Sequence, residues 1–201
     1  MARPLKEIIH RLRLYLQITH MGGIARRYFI MNGFDGAMTM LGVILGAWVA
    51  GIQNPGVVIT TGLGGCLALG VSGVLSAYMA ERAERARRMK ALEEALLTSL
   101  NHTLHDRAFK FTSAYVALVN GMSPMLTALI SITPFILSSV GVFLIADAYI
   151  TSLILNLVTL FSLGIYLGRV AKENIWLYGA QMVAAGLVTI VIIVLLGMLS
   201  A

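Results

Sequence analysis

An aspartate inside the first long apolar stretch is the residue of this chain with the clearest capacity for chemistry. Asp35 lies within residues 28–50, a stretch long enough to cross a membrane. A carboxylate at membrane depth is costly, so it is usually retained for a function. On a helix, Met31, Asp35 and Met38 share one face. Oxygen and thioether ligands together favour transition metals over magnesium or calcium. The pattern therefore predicts a cation or proton site.

Glycine and proline residues interrupt two of the apolar stretches. Gly33 and Gly36 flank the aspartate and predict a local break in the first helix, which would free backbone carbonyls as ligands. Pro124 and Pro134 predict similar breaks in the third stretch. Because paired broken helices indicate a transport site near the membrane midplane, we expect Met122 to contribute to the same ligand set. A simple proline kink is the alternative interpretation of the third stretch.

A second group of candidate ligands follows the second apolar stretch. Met79 lies at its end, and Glu81 and Glu84 share one helix face because they are three residues apart. His102 and His105 have the same spacing. If residues 81–110 fold as a helical hairpin, these side chains could collect a divalent ion. The alternative is a solvated charged hairpin held by internal salt bridges.

The composition indicates an all-α integral membrane protein. Of the 201 residues, 58% are hydrophobic and 12% are charged, whereas a soluble domain carries about 25% charged residues. The mean hydropathy of +0.85 agrees. We expect an amphipathic surface helix in residues 1–27, transmembrane helices 1 and 2 in 28–80, a short cytoplasmic helical hairpin in 81–110 and transmembrane helices 3–5 in 111–201. The five apolar stretches are residues 28–50, 57–80, 112–137, 142–167 and 175–199.

The distribution of positive charge predicts the orientation of the spans. All 15 Lys and Arg residues precede the first span, lie between the second and third, or lie between the fourth and fifth. With five spans these segments are on one side, which the positive-inside rule makes cytoplasmic. We therefore expect a cytoplasmic N-terminus, an external C-terminus and no cleavable signal peptide. The expected location is the cell (inner) membrane, or an organelle membrane in a eukaryote. The net charge of +6 is explained by topology and by anionic lipid, so no nucleic-acid partner is expected.

Several motifs follow one another along nearly the whole chain: Phe34-Asp35-Gly36-Ala37-Met38-Thr39 with Leu41-Gly42-Val43, Gly73 to Glu84, Ser123-Pro124 through Pro134-Phe135, Phe161-Ser162-Leu163-Gly164 through Gly168-Arg169, and Gly179 to Gly186. Together they resemble the vacuolar iron transporter family. The resemblance implies a homodimer that exports Fe2+, and often Mn2+, from the cytoplasm in exchange for protons. It implies that Asp35 is on the ion path between subunits, assisted by methionines of the first two spans and by acidic residues after the second. We expect no required cofactor besides the transported ion.

The second span departs from that family's pattern, so two alternatives remain. Ser76-Ala77-Tyr78 stands where the family usually has Gly-Glu-Tyr, and the expected glutamate is missing. The chain could carry a different cation, or bind and sense a metal in the membrane without moving it. An enzyme is not expected. Asp35-Gly36 also resembles half of the Asp-Gly-x-x-Ala motif of CDP-alcohol phosphotransferases, but that chemistry needs several nearby aspartates to hold two metals. The aspartates of the chain are Asp35, Asp106 and Asp147.

Overall fold

The computed structural model of the chain describes residues 21–97 and 104–200. In these two ranges the chain is helical and contains no strand. The helices are α1 (Met21–Val49), α2 (Pro55–Leu96), α3 (Leu104–Ser139), α4 (Ile145–Ala171) and α5 (Ile175–Ser200). Each is long and apolar enough to cross a membrane, which confirms the prediction of five long apolar helices.

Tight turns join α1 to α2 and α3 to α4. After α1, Gly51 adopts a positive φ of 68°, and its N–H donates to the carbonyl of Trp48, while the N–H of Ile52 donates to that of Ala47. This pair of bonds is the Schellman arrangement, which satisfies the last carbonyls of a helix. Gly141, with a φ of 82°, ends α3 in the same way. Both positions need glycine because a Cβ is strained at positive φ.

The chain divides into two compact units. Unit one comprises Met1–Phe29 and Val71–Gly121, and unit two comprises Ile30–Gly70 and Met122–Ala201. In unit one, the buried side chains of Ala25 and Val116 form a small apolar cluster.

Unit two contains the larger core. One cluster is built around Met40, Ile44, Ile132, Phe135 and Tyr149, all of which are at most 2% exposed. The phenol of Tyr149 donates a 2.8 Å hydrogen bond to the carbonyl of Ile52, in the turn between α1 and α2. A second cluster in the same unit contains the buried side chains of Ala37, Leu41, Leu45 and Leu160. The inward side of α1 in unit two is therefore apolar and closely packed.

The expected break in the first apolar stretch is wrong. Helix α1 continues from Met21 to Val49 through Gly33, Asp35 and Gly36. A continuous helix keeps its backbone groups bonded within the segment, which an apolar surrounding strongly favours. Helix α3 likewise contains Pro124 and Pro134 without ending at either.

The structure changes the predicted boundaries of the expected hairpin in residues 81–110. Helix α2 continues to Leu96, well beyond the predicted end of the second span at residue 80. The two limbs of the expected hairpin are thus extensions of α2 and α3. Residues 98–103, between these two helices in the chain, lie outside the described ranges, as do residues 1–20 of the expected surface helix.

Candidate functional site

Asp35 lies on the outer face of α1 in unit two. Its side chain is exposed in the single chain, and so is that of Met31, one turn earlier, at 55%. Within the described residues the ion pairs are Arg85–Glu81 and Arg88–Glu84, so none involves Asp35. The carboxylate is therefore accessible to whatever covers this face.

The opposite face of α1 explains the glycines beside Asp35. A Cβ placed on Gly36 would lie 2.5 Å from the Cα of Pro124 and would also collide with the hydroxyl of Thr127. A Cβ on Gly33 would lie 2.9 Å from the Oγ of Ser123. Both distances are too short for real atoms, so the glycines allow α1 and α3 to approach closely. Their role in unit two is contact between helices, not a break in α1.

The two other predicted methionine ligands of unit two have different surroundings. Met38 is half-buried and packs against the cluster of Ala37, Leu41, Leu45 and Leu160. Met122 is 49% exposed on α3. Met31 and Asp35 thus share the exposed face of α1, while Met38 is turned partly towards the core. Apolar packing accounts for Met38 without a metal.

Glu81 and Glu84 of unit one are each paired with an arginine four residues later. Glu81 accepts a hydrogen bond from Arg85 at 3.3 Å, and the two side chains are only 13% and 11% exposed. Glu84 accepts one from Arg88 at 3.0 Å, and that pair is largely exposed. Met79, nearby on α2, is 68% exposed. The glutamates are therefore partly neutralised within α2 itself.

The structure says little about the two predicted histidine ligands. His102 lies outside the described residues, and of His105 only the helical backbone at the start of α3 is described. In the described ranges, no three His, Cys, Asp or Glu side chains are grouped so that they could hold a metal ion. A metal site made by one chain alone from such groups is thus not present in those ranges.

A buried polar cluster in unit two was not predicted from the sequence. Asn156 of α4 is fully buried, and its Nδ2 donates to the carbonyl of Ala37 on α1 at 3.0 Å and to the Oγ of Ser131 on α3 at 3.2 Å. Ser152, one turn before Asn156, donates its hydroxyl to the carbonyl of Ser131. The signal for this cluster was the occurrence of uncharged polar residues four apart in an otherwise apolar span.

Comparison with known proteins identifies one informative relative. The chain is 31% identical over 189 residues to a protein of Methanocaldococcus jannaschii that bears the name "Uncharacterized protein MJ0645", and the match covers 92% of this chain and 91% of that protein. No family model matches the chain. No solved structure matches it either.

Proposed function

The chain belongs to the same family as the Methanocaldococcus jannaschii protein MJ0645, and from its own residues we propose that it exports divalent transition-metal ions across a membrane. The ion is Fe2+ or Mn2+, and it is exchanged for protons. The transporter is a homodimer with Asp35 on the ion path. The exposed carboxylate at the centre of a membrane-length helix is the observation that carries this proposal.

The position of Asp35 along α1 supports a site at membrane depth. Helix α1 is long enough to span a membrane, and its apolar stretch, residues 28–50, begins after Arg26 and Arg27. Asp35 is seven residues after the start of this stretch and 15 before its end, which at 1.5 Å per residue is about 10 Å and about 22 Å along the helix. Facing lipid at this depth, a charged side chain is costly. Such an exposed carboxylate calls for a covering surface that is not lipid.

A second copy of the chain is the simplest covering surface. Gly42 and Gly46 follow Asp35 on the same side of α1, since seven and eleven residues correspond to about two and three helical turns. A Cβ on Gly46 would meet no atom within 4 Å, whereas one on Gly42 would lie 4.0 Å from the side chain of Ile193 on α5, so α1 is open at Gly46. Small residues four apart allow two helices to pack closely in a membrane. A twofold axis near this face would bring together two copies of Asp35 and Met31.

That arrangement supplies a ligand set with the right chemistry. Two carboxylates and two thioethers offer oxygen and sulfur donors together, and the sulfur donors favour softer transition metals over magnesium and calcium. A carboxylate oxygen that binds a metal ion cannot hold a proton at the same time. The two ions therefore compete for Asp35, and an inward proton gradient drives metal release on the outer side.

The remaining predicted ligands would act before or beside this site. Met38 and Met122 in unit two, and Met79 in unit one, are further thioether candidates. Glu81, Glu84, His102 and His105 would gather ions on the cytoplasmic side. Since each glutamate is already paired with an arginine, we assign them a smaller part than Asp35. No enzymatic role is proposed.

We also propose the cell membrane as the location, with the N-terminus in the cytoplasm and the C-terminus outside. The described turns at residues 50–54 and 140–144 contain no Lys or Arg, whereas Arg169 and Lys172 lie at the turn between α4 and α5. This distribution supports the orientation expected from the positive-inside rule.

A membrane protein that binds or senses a metal without transport is the second candidate function. Ser76-Ala77-Tyr78 in place of a glutamate motif favours it over transport. A transporter of a different cation is the third. Flux measurements separate all three.

The test is metal flux into proteoliposomes that contain the purified chain. Fe2+, Mn2+, Co2+ and Zn2+ are supplied in turn across a pH gradient, and internal metal is followed with a trapped fluorescent chelator. We expect uptake of Fe2+ or Mn2+ that falls when a protonophore collapses the gradient. Binding of these ions without any flux would support the sensing function, and flux of Co2+ or Zn2+ but not of Fe2+ or Mn2+ would support the third candidate.

A further inference from the structure

Asn156 connects three helices of unit two through one buried side chain. Its Nδ2 donates to the carbonyl of Ala37 on α1 at 3.0 Å and to the Oγ of Ser131 on α3 at 3.2 Å, while the residue itself belongs to α4. All three residues lie in helices that are long and apolar enough to cross a membrane. The carboxamide is therefore a specific link between α1 and the α3–α4 pair.

Ser131 is held in place so that it can accept this bond. Its hydroxyl donates to the carbonyl of Thr127 at 3.1 Å, which directs a lone pair of the Oγ towards Asn156. Its own carbonyl accepts the hydroxyl of Ser152. Asn156, Ser131, Ser152 and Thr127 are all at most 5% exposed, so water does not compete for these bonds.

The link at Ala37 fixes the rotation of α1 about its own axis. Ala37 follows Asp35 by two residues, which is about 200° around an α-helix. When the carbonyl of Ala37 is held towards α4, the side chain of Asp35 is therefore directed away from α3 and α4. Gly33 and Gly36 reinforce the same orientation, because only they allow α3 to approach this closely.

Asn156 carries a feature that stability alone does not explain. Its Oδ1 is buried and, among the described residues, has no hydrogen-bond partner. An unpaired buried acceptor opposes folding, whereas a leucine of similar size would fill the same space without that cost. A polar residue that is retained in spite of this cost is expected to provide a defined geometry.

We propose that Asn156 is a positioning residue, which sets the rotation of α1 and so directs Asp35 onto the exposed face of unit two. The inference rests on the proposed function for the meaning of that face, but the rotation itself can be measured without transport. Loss of the carboxamide would let α1 turn, and Asp35 would no longer be presented in one orientation.

Two methionines of α1 form a matched pair of reporters for this rotation. Met31 is 55% exposed and Met40 is fully buried, and a step of nine residues along the helix corresponds to about 180° around it. Cys66 is the single native cysteine, so Cys66→Ala provides a background free of other thiols. Met31→Cys and Met40→Cys are then introduced separately, each together with Gly46→Leu, which opens the face that the second copy is proposed to cover. The rate of N-ethylmaleimide labelling is measured for each monomeric protein in detergent.

The ratio of the two labelling rates is measured in three proteins: one that keeps Asn156 and Thr159, one with Asn156→Leu and one with Thr159→Val. Thr159 lies on the same helix, but its hydroxyl donates to the carbonyl of Leu155 within α4, so it is the matched control. With Asn156 present, we expect the Met31→Cys protein to be labelled much faster than the Met40→Cys protein. With Asn156→Leu the ratio should fall about tenfold, equivalent to about 1.4 kcal/mol, and with Thr159→Val it should not change. An unchanged ratio in Asn156→Leu would overturn the proposal.

Two further measurements separate positioning from general damage and from failure of the proposed function. The melting temperature of Asn156→Leu should be equal to or above that of the wild type, because an unpaired acceptor has been removed; a large decrease would indicate a merely structural role and overturn the proposal. In metal flux, Asn156→Leu should lower Vmax and raise KM, whereas Thr159→Val should alter neither. If the ratio falls but the wild-type protein transports nothing, the positioning role stands and the proposed function fails.

Discussion

Gly36 of α1 packs directly on Pro124 of α3, so closely that a Cβ on the glycine would lie 2.5 Å from the Cα of the proline. The same glycine is the neighbour of Asp35 in the chain. The inner face of α1 is therefore set by helix contact in unit two, and the outer face presents the carboxylate. Substitutions on the two faces of this helix should accordingly have different effects.

Replacing Gly36 with alanine should destabilise unit two. The added methyl group collides with the Cα and Cβ of Pro124 on α3, and overpacking of this kind costs about 1–3 kcal/mol. Gly64→Ala is the matched control, because a Cβ there would meet nothing within 4 Å. Thermal unfolding in detergent should show a lower melting temperature for Gly36→Ala and an equal or higher one for Gly64→Ala. Equal melting temperatures for the two variants would contradict the close contact.

Gly46→Leu should weaken the proposed homodimer without unfolding the chain. The position is exposed and open in the single chain, so a larger side chain is tolerated there unless a second helix packs against it. Gly64→Leu serves as the control on α2. The measurement is the mass of the detergent-solubilised protein by light scattering. We expect a dimer for the wild type and the control and more monomer for Gly46→Leu. A wild-type protein that is monomeric at all concentrations would contradict the homodimer.

Glu81→Gln should lower stability more than Glu84→Gln. The Glu81–Arg85 pair is 13% and 11% exposed, so Glu81→Gln removes an ion pair that water screens poorly. The Glu84–Arg88 pair is 49% and 68% exposed, where an ion pair contributes about 0.3–0.5 kcal/mol. The measurement is the melting temperature of Glu81→Gln and of Glu84→Gln, each relative to the wild type, at low and at high salt. The same variants test the glutamates as ligands: KM for metal should change little if their main role is to pair with arginine.

The helical architecture was predictable from the sequence because apolar length and charge distribution are strong, local signals. The limits of α2 were predicted in part, since alternating charges after residue 80 are compatible with a continuing helix. The break at Gly33 and Gly36 was predicted wrongly. Glycine lowers helix propensity, but in apolar surroundings the backbone has no other hydrogen-bond partners, so the helix persists and the glycines serve packing.

The candidate site was predictable only where a charge marked it. Asp35 was identified because an acidic residue is rare in an apolar span. Its exposure beside Met31 depends on how α1 packs against the other helices, which the spacing of residues alone does not predict. Met38 shares the spacing but turns partly towards the core. Asn156 was missed because it is uncharged, and its partners on α1 and α3 lie 119 and 25 residues away along the chain.

The central claim is that the carboxylate of Asp35 lies on the ion path. Its most direct test is the initial rate of Mn2+ or Fe2+ uptake into proteoliposomes under a fixed pH gradient, for the wild type, Asp35→Asn and Asp147→Asn. Asp147 is the matched control, an exposed aspartate in the first turn of α4. The account predicts that Asp35→Asn reduces uptake to the level of empty liposomes while Asp147→Asn retains most of the wild-type rate. Wild-type uptake by a folded Asp35→Asn protein would contradict it.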